Sequence, residues 1–291
     1  MNTIIITANP VTPEIIQHCH NALGLQTFKP IQLSPVAYQF NPASNATHSK
    51  LNIQTTLAPL AHALKFDFAV LEQPLTTDQF RILAMDMDST LITIECIDEI
   101  ASFAGKKAEV SAITEATMRG EIKNFSDSLK HRVALLKGLP EDILHQVFSE
   151  RLQLSPGANN LLQFARNNHW KTLLVSGGFT FFTEQLKQQL GLDFTHANQL
   201  EIINGHLTGQ VIGHIVDGEA KKQMLLNVCQ QLGVQSQHAI AMGDGANDLP
   251  MMQIAGMSIA YKAKPTVQQH TQFQINQGGL DTLTHWFVNT R

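Results

Sequence analysis

Apolar runs of strand length, one ending at residue 85 and others near residues 175, 242 and 260, recur along the chain, with amphipathic stretches over 181–190 and 220–232 among them. Strands buried on both faces read as continuous apolar runs, so this rhythm predicts α/β units around a mostly parallel sheet. More than 80 residues separate the first two runs, too many for a crossover of about a dozen. The stretch 97–154 reads as several helices interrupted at Gly120 and at Gly138-Leu139-Pro140, which predicts a helical cap inserted over the carboxyl edge of the sheet. Residues 198–216 alternate around Asn204-Gly205, a hairpin signal.

Ahead of these lies a different pattern. Residues 3–7 are isoleucine-rich and predict a strand; Thr12 then caps a helix with Pro13 at its first position, running to about Leu23. Helical periodicity returns over 56–64, and 66–71 predicts a strand before the polar stretch 72–79. The turn-rich residues 41–49 give no firm strand pattern. The expected organisation is a small α+β domain over 1–79 and a larger α/β domain over 80–291, with the cap at about 97–154.

With 43% hydrophobic and 15% charged residues in 291, the chain has enough apolar material for such a core, which excludes disorder as its main state. Twenty Lys and Arg against 24 Asp and Glu give a net charge of -4, and no dense basic run is present to follow a phosphate backbone, so nucleic acid is not an expected partner. No stretch approaches the roughly 18 apolar residues of a membrane span, and the first residues lack a basic leader. A soluble cytoplasmic protein is the expectation. Cys19, Cys96 and Cys229 stand far apart with no C-x-x-C pair and read as free buried thiols.

Chemistry concentrates where the apolar runs stop. Asp86-Met87-Asp88-Ser89-Thr90 follows the first, Ser176-Gly177-Gly178 another, and Gly243-Asp244-Gly245-Ala246-Asn247-Asp248 a third. Any one of these reads as an ordinary turn in which Asp, Ser and Gly cap or bend the chain. Several at the carboxyl ends of parallel strands point instead to a ligand site, since α/β sheets bind ligands there. Carboxylates suit a hard cation, while a hydroxyl and glycine amides suit an anion. Lys221 and Lys222 open a helix-like segment after Asp217-Gly218, where a lysine can compensate the acids and bind phosphate. A nucleotide loop of the G-x-x-x-x-G-K-[ST] type and an H-E-x-x-H zinc motif are both missing.

Taken in order, Asp86-Met87-Asp88-Ser89-Thr90, Ser176-Gly177-Gly178, Lys221 and the Gly243 to Asp248 motif resemble the haloacid dehalogenase-like hydrolases over about residues 81–290 and, within them, the bacterial branch that acts on phosphoserine. The resemblance implies a Rossmann-like core with a helical cap. It implies magnesium-dependent hydrolysis of O-phospho-L-serine, the closing step of serine biosynthesis, through an aspartyl-phosphate on Asp86, with Asp88 as acid and then base. Asp86, Asp244 and the backbone carbonyl of Asp88 would hold the ion, with Asp248 behind them. Ser176, Gly177, Gly178, Lys221 and Asn247 would bind the phosphate. Glu95 would meet the substrate ammonium and Arg132 its carboxylate, with Met118 and Phe125 as apolar shields. One departure is the stretch 119–124, one residue longer than the family's spacing between Met118 and Phe125. A related phosphatase, a phosphotransferase to a small alcohol and a non-catalytic sensor are the alternatives. Residues 1–79 resemble the variable extensions of bacterial members, with amino-acid binding and homodimer formation both open.

Overall fold

The structure is a computed structural model describing residues 2–25, 29–42, 49–119, 121–122 and 124–287. Its contacts form two compact units, Met1–Gln79 with Pro156–Phe164 and Phe273–Arg291, and Phe80–Ser155 with Ala165–Gln272.

The first unit follows a β-α-β-β-α-β order: β1 Thr3–Thr7, α1 Pro13–Leu23, β2 Ile31–Ser34, β3 Ala37–Phe40, α2 Lys50–Leu64 and β4 Asp67–Leu71. The strands pair antiparallel in the order β2-β3-β1-β4, with Ile4 opposite Phe40 on one side and Val70 on the other. Thr12 caps α1 by accepting the Ile15 N–H at 3.3 Å, Pro13 opens it, and Gly24 closes it at φ 64°, as the pattern predicts. Ile15, Cys19 and Leu23 from α1 and Ile53 and Leu57 from α2 pack with Ile4, Ile6, Phe40 and Val70.

Three details differ from expectation. Helix α2 begins at Lys50, where the Ser49 side chain accepts the Asn52 N–H; a start at 56 would have left Pro59 in the first turn, where a missing N–H costs least, whereas it lies mid-helix. Strands β2 and β3 had no counterpart in the pattern, being four residues each with a β2 mostly open to solvent. Finally, the chain beyond Phe273 groups with this unit instead of running on with the second. The buried Asp67 carboxylate accounts for that, accepting the N–H groups of Asn276, Gln277 and Gly278 at 2.7–3.1 Å. Of the turn-rich stretch 41–49, residues 43–48 lie outside the described residues.

The second unit carries β5 Ile82–Met85, β6 Lys171–Phe179, β7 Phe194–Ile203, β8 His206–Ile212, β9 Ala239–Gly243 and β10 Met257–Tyr261, ordered β10-β9-β5-β6-β7-β8. Strand β5 pairs in parallel with β6 and β9, and β9 with β10; only the β7–β8 hairpin, turning at Asn204-Gly205, runs antiparallel within this set. Every residue of β5, β9 and β10 is buried, the signature of strands covered on both faces. Between β5 and β6 stand α3 Cys96–Phe103, α4 Lys107–Met118, α5 Phe125–Ala134 and α6 Asp142–Gln146, then α7 Ala158–Asn167, whose residues up to Phe164 group with the first unit. The remaining helices are α8 Thr180–Leu190, α9 Gly218–Leu232, α10 Leu249–Ile254 and α11 Pro265–Gln268. Among the described residues, no helix is long and apolar enough to cross a membrane.

Candidate active site

The carboxyl ends of β5, β6 and β9 meet at one point. Adjacent parallel strands in register put the residues just past their ends side by side, and Asp86 still donates its N–H to the Met242 carbonyl at 3.1 Å. The chain then makes a wide turn over Met87–Leu91, in which the Ile92 N–H reaches the Met87 carbonyl at 3.0 Å and Ser89 holds φ 55°. Wide i→i+5 turns of this kind are frequent at functional sites, and this one presents both acids of its motif to the same space. Asp88 Oδ1 accepts the Cys96 N–H at 2.9 Å, and its Oδ2 lies 3.4 Å from the Ser176 hydroxyl.

Lys221 reaches in from the first turn of α9, fully buried, and donates to Asp86 Oδ1 at 2.6 Å and Asp248 Oδ1 at 2.7 Å. The Asp248 carboxylate accepts the N–H groups of Asp244 and Gly245 with its other oxygen, so it also shapes the loop that carries Asp244. Thr90 donates to Asp244 Oδ1 at 3.3 Å. Asp86, Asp244 and Asp248 offer carboxylate oxygens within 4.8 Å of one another. Three buried, hard anionic oxygens fit a magnesium ion. The side-chain oxygens of Asp88 face Cys96 and Ser176 instead.

Electrostatics agree with that fit. Burial, followed by the repulsion of Asp248, drives the Asp86 carboxyl well above the usual range despite Lys221. Burial and Asp248 likewise push Asp244 up to about 7. Burial opposes the Lys221 charge, yet Asp248 and Asp86 hold its ammonium above the ordinary lysine value. Lys221 is ion-paired with two of these crowded acids, Asp86 and Asp248, and a divalent ion would relieve the repulsion among the carboxylates.

The phosphate side is built from the end of β6. Ser176 Oγ accepts the Gly178 N–H at 2.8 Å. A Cβ on Gly178 would stand 2.5 Å from Asp88 Oδ2, and one on Gly177 would stand 2.7 Å from Phe125 Cζ, so both positions need glycine for close approach. Asn198 was not singled out by sequence. It is buried, donates to the Gly177 carbonyl at 2.8 Å and accepts the Val216 N–H at 2.8 Å, fixing the glycine turn from behind. The Asn247 amide has neither buried atom partnered and stands in the cavity wall.

Glu95, Met118, Phe125 and Arg132 line the other side. Arg132, 2% exposed, donates from Nη1 to Thr114 Oγ1 at 3.1 Å and from Nε to the Ser128 carbonyl at 3.4 Å, while Nη2 has no partner. Burial lowers its pKa, against the pull of Glu95, Asp98 and Asp88. Its guanidinium lies 5.9 Å from the Phe125 ring. Glu95 accepts from Ser89 Oγ at 2.7 Å, and burial together with Asp88 and Asp244 raises its carboxyl well above the usual range. Met118 ends α4 with its sulfur against Gly245, and Phe125 begins α5 behind the Asn124 cap. The longer link between them therefore leaves both side chains on the site; Gly120, the expected place for the extra residue, lies outside the described residues.

All but three of the expected residues line one cavity, which also takes in Ile97, Leu129 and Phe179. The exceptions, Lys221, Asp244 and Asp248, stand directly behind Asp86. The cavity measures about 20 Å³, room for little more than one water. Thr90, Ser89 and Asn198 are site residues to which neither the pattern nor the resemblance gave a role. Ser89 and Thr90 were visible within their motif, and Asn198 as a polar residue in a buried strand.

A profile of the haloacid dehalogenase-like hydrolases matches residues 83–253. A phosphoserine phosphatase of Polaromonas sp. (strain JS666) is 55% identical over 213 residues, spanning 72% of this chain and 90% of the relative. Among solved structures, a haloacid dehalogenase family hydrolase from Salmonella enterica serovar Typhi matches with TM-score 0.87 at 33% identity, over 100% of both chains. A probable phosphoserine phosphatase from Vibrio cholerae, unliganded, matches with TM-score 0.80 at 36% identity, covering 98% of this chain and 85% of that one. Bacterial phosphoserine phosphatases are thus near relatives, and the chain belongs to the haloacid dehalogenase-like hydrolases.

Proposed function

We propose that this enzyme hydrolyses O-phospho-L-serine to L-serine and phosphate, the step that closes serine biosynthesis, with residues 97–154 acting as the cap of its catalytic unit. The observation that carries the substrate assignment is the unpartnered Nη2 of the buried Arg132, in the wall of the cavity that also holds Asp86 and Glu95. A buried guanidinium N–H without an acceptor carries a desolvation penalty, and a substrate carboxylate supplies the acceptor with a charge-assisted bond. Glu95 across the same cavity complements an ammonium. An amino acid phosphorylated on its side chain carries both groups and the phosphate.

In the reaction Asp86 attacks phosphorus, an acyl-phosphate bond forms and the bond from phosphorus to the seryl oxygen breaks. Asp88, whose carboxyl is raised by burial against the hydrogen bonds of Cys96, gives its proton to the departing oxygen, releasing serine. Water then attacks phosphorus, Asp88 takes its proton, and the acyl-phosphate bond breaks to restore Asp86 and free phosphate. Lys221, the Ser176 hydroxyl, the Gly177 amide and the Asn247 side chain stabilise the phosphoryl oxygens as charge builds, while the Gly178 N–H holds the Ser176 hydroxyl in place. Asp86, Asp244 and the Asp88 carbonyl would hold magnesium, with Asp248 orienting them from behind, and the bound ion supplies charge neutralisation between the nucleophile and a phosphate of about two negative charges. Met118 and Phe125 exclude water while the cap is shut.

Phosphate release with magnesium from L-phosphoserine, phosphothreonine, glycerol phosphate and p-nitrophenyl phosphate at matched concentration tests the reading. Strong preference for L-phosphoserine is expected. Comparable turnover of all four would overturn the substrate assignment and leave the hydrolase chemistry standing.

A further inference from the structure

The buried face of α4 carries Val110, Thr114 and Thr117, an unusual share of hydroxyls for a face that packs inward. Thr114 is 1% exposed, and its Oγ1 has three neighbours: Asp98 Oδ1 at 2.9 Å, Arg132 Nη1 at 3.1 Å and the Val110 carbonyl at 3.0 Å. A hydroxyl has one proton to give and lone pairs to receive. The Asp98 carboxylate is the stronger acceptor of the two on offer, so the proton points to Asp98 and a lone pair faces the guanidinium. The second oxygen of Asp98 is taken by Ser111 Oγ at 2.6 Å. On the opposite edge, Arg132 Nε donates to the Ser128 carbonyl, and the Ser128 hydroxyl is bonded to Thr117 Oγ1 at 2.6 Å.

We infer that Thr114, backed by Asp98, is a positioning residue that holds the Arg132 guanidinium ready for the substrate carboxylate, an inference that rests on the functional reading above. Both hydrogen bonds of Arg132 go to neutral oxygens. Were Asp98 to pair with the guanidinium directly, it would satisfy the charge that the substrate has to find. Through an interposed hydroxyl, the acid orients the guanidinium without occupying its recognition edge, and Nη2 is left with no partner. Arginine loses considerable rotamer freedom when fixed. Fixing it within the cap, before substrate arrives, removes that cost from binding.

The test uses the full-length enzyme with magnesium and two substrates, L-phosphoserine and p-nitrophenyl phosphate, which lacks the carboxylate. Thr114→Val keeps the shape and deletes the hydroxyl. Its KM for L-phosphoserine should rise about tenfold to a hundredfold with kcat nearly unchanged, as expected for loss of a charged hydrogen bond that acts on ground-state binding. Turnover of p-nitrophenyl phosphate should stay at the wild-type level, which also reports a folded enzyme, and Thr114→Ser should restore the phosphoserine KM. If Thr114→Val does not yield folded protein, Asp98→Asn, which conserves volume, should show the same split between substrates. Wild-type KM in Thr114→Val, or equal losses on both substrates in whichever variant folds, would overturn the inference while the functional reading stands. A wild-type enzyme with no preference for L-phosphoserine would overturn that reading and this inference together.

Discussion

Lys221 Nζ stands 2.6 Å from Asp86 Oδ1, with neither side chain more than 6% exposed. The lysine comes from the first turn of α9 and the aspartate from the end of β5, 135 residues apart, so the contact exists only once the sheet and its covering helix are assembled. The same ammonium holds Asp248. Removing it strands two buried carboxylates. Lys221→Met should therefore lower folding stability by about 3–5 kcal/mol, the usual cost of deleting one partner of a buried ion pair, and should abolish phosphoserine hydrolysis. Urea unfolding in the absence of magnesium gives the first number and phosphate release the second.

Metal dependence follows from the same crowding. Magnesium should raise the melting temperature of the wild-type protein in a concentration-dependent way, since it binds the assembled acids and not the unfolded chain. Asp244→Asn should blunt that rise, and chelation should stop phosphate release. A melting temperature insensitive to magnesium would contradict the assignment of Asp86 and Asp244, with Asp248 behind them, to a cation site.

Arg132 and Glu95 define a separable layer of the site. Arg132→Ala should reduce kcat/KM for L-phosphoserine by roughly a hundredfold, the scale of a lost charge-assisted bond, and reduce that for p-nitrophenyl phosphate far less. Glu95→Gln should show the same sense of discrimination. Parallel steady-state assays on the two substrates decide; equal losses would deny these residues a role in recognising the amino acid.

Close approach at the β6 terminus gives a steric prediction. A methyl on Gly178 would press on Asp88 Oδ2 and on Ser176 Oγ, 2.5 and 3.0 Å away. Gly178→Ala should displace the proton-transfer group and lower kcat by roughly a hundredfold, as small misplacements do, with a far-UV spectrum like that of the wild type. Unchanged kcat would mean that Asp88 tolerates the shift.

Stability of the first unit should hinge on Asp67, which gathers the N–H groups of Asn276, Gln277 and Gly278. Asp67→Ala would leave these donors without their charged acceptor, at a cost of about 3 kcal/mol, measurable as a drop in the urea midpoint.

Much of this architecture can be read along the chain. The end of β5 at Asp86, the Thr12-Pro13 start and Leu23 end of α1, and the Asn204-Gly205 hairpin all follow from local rules of burial period, capping and turn chemistry. The acids and glycines at the strand ends were legible because such residues are foreign to buried strands. What local rules miss is what depends on distant partners. Strands β2 and β3 are short and half solvated, so their apolar alternation is faint. Asp67 looks like a polar start to β4 until its three donors arrive from more than 200 residues away. Thr114 reads as a commonplace helix residue, and only the packing of α4 on α3 and α5 reveals its two charged neighbours, Asp98 and Arg132. The family resemblance supplied Glu95 and Arg132, which pattern alone gives no reason to select.

In the mechanism above, the phosphoryl group passes through Asp86. Rapid acid quench of the enzyme during turnover of L-phosphoserine, followed by peptide mass mapping, tests it most directly. One added phosphoryl group is expected on the peptide containing Asp86, labile to hydroxylamine and missing from Asp86→Asn. Turnover with no modification at Asp86, or a phosphorylated peptide that persists in Asp86→Asn, would contradict it.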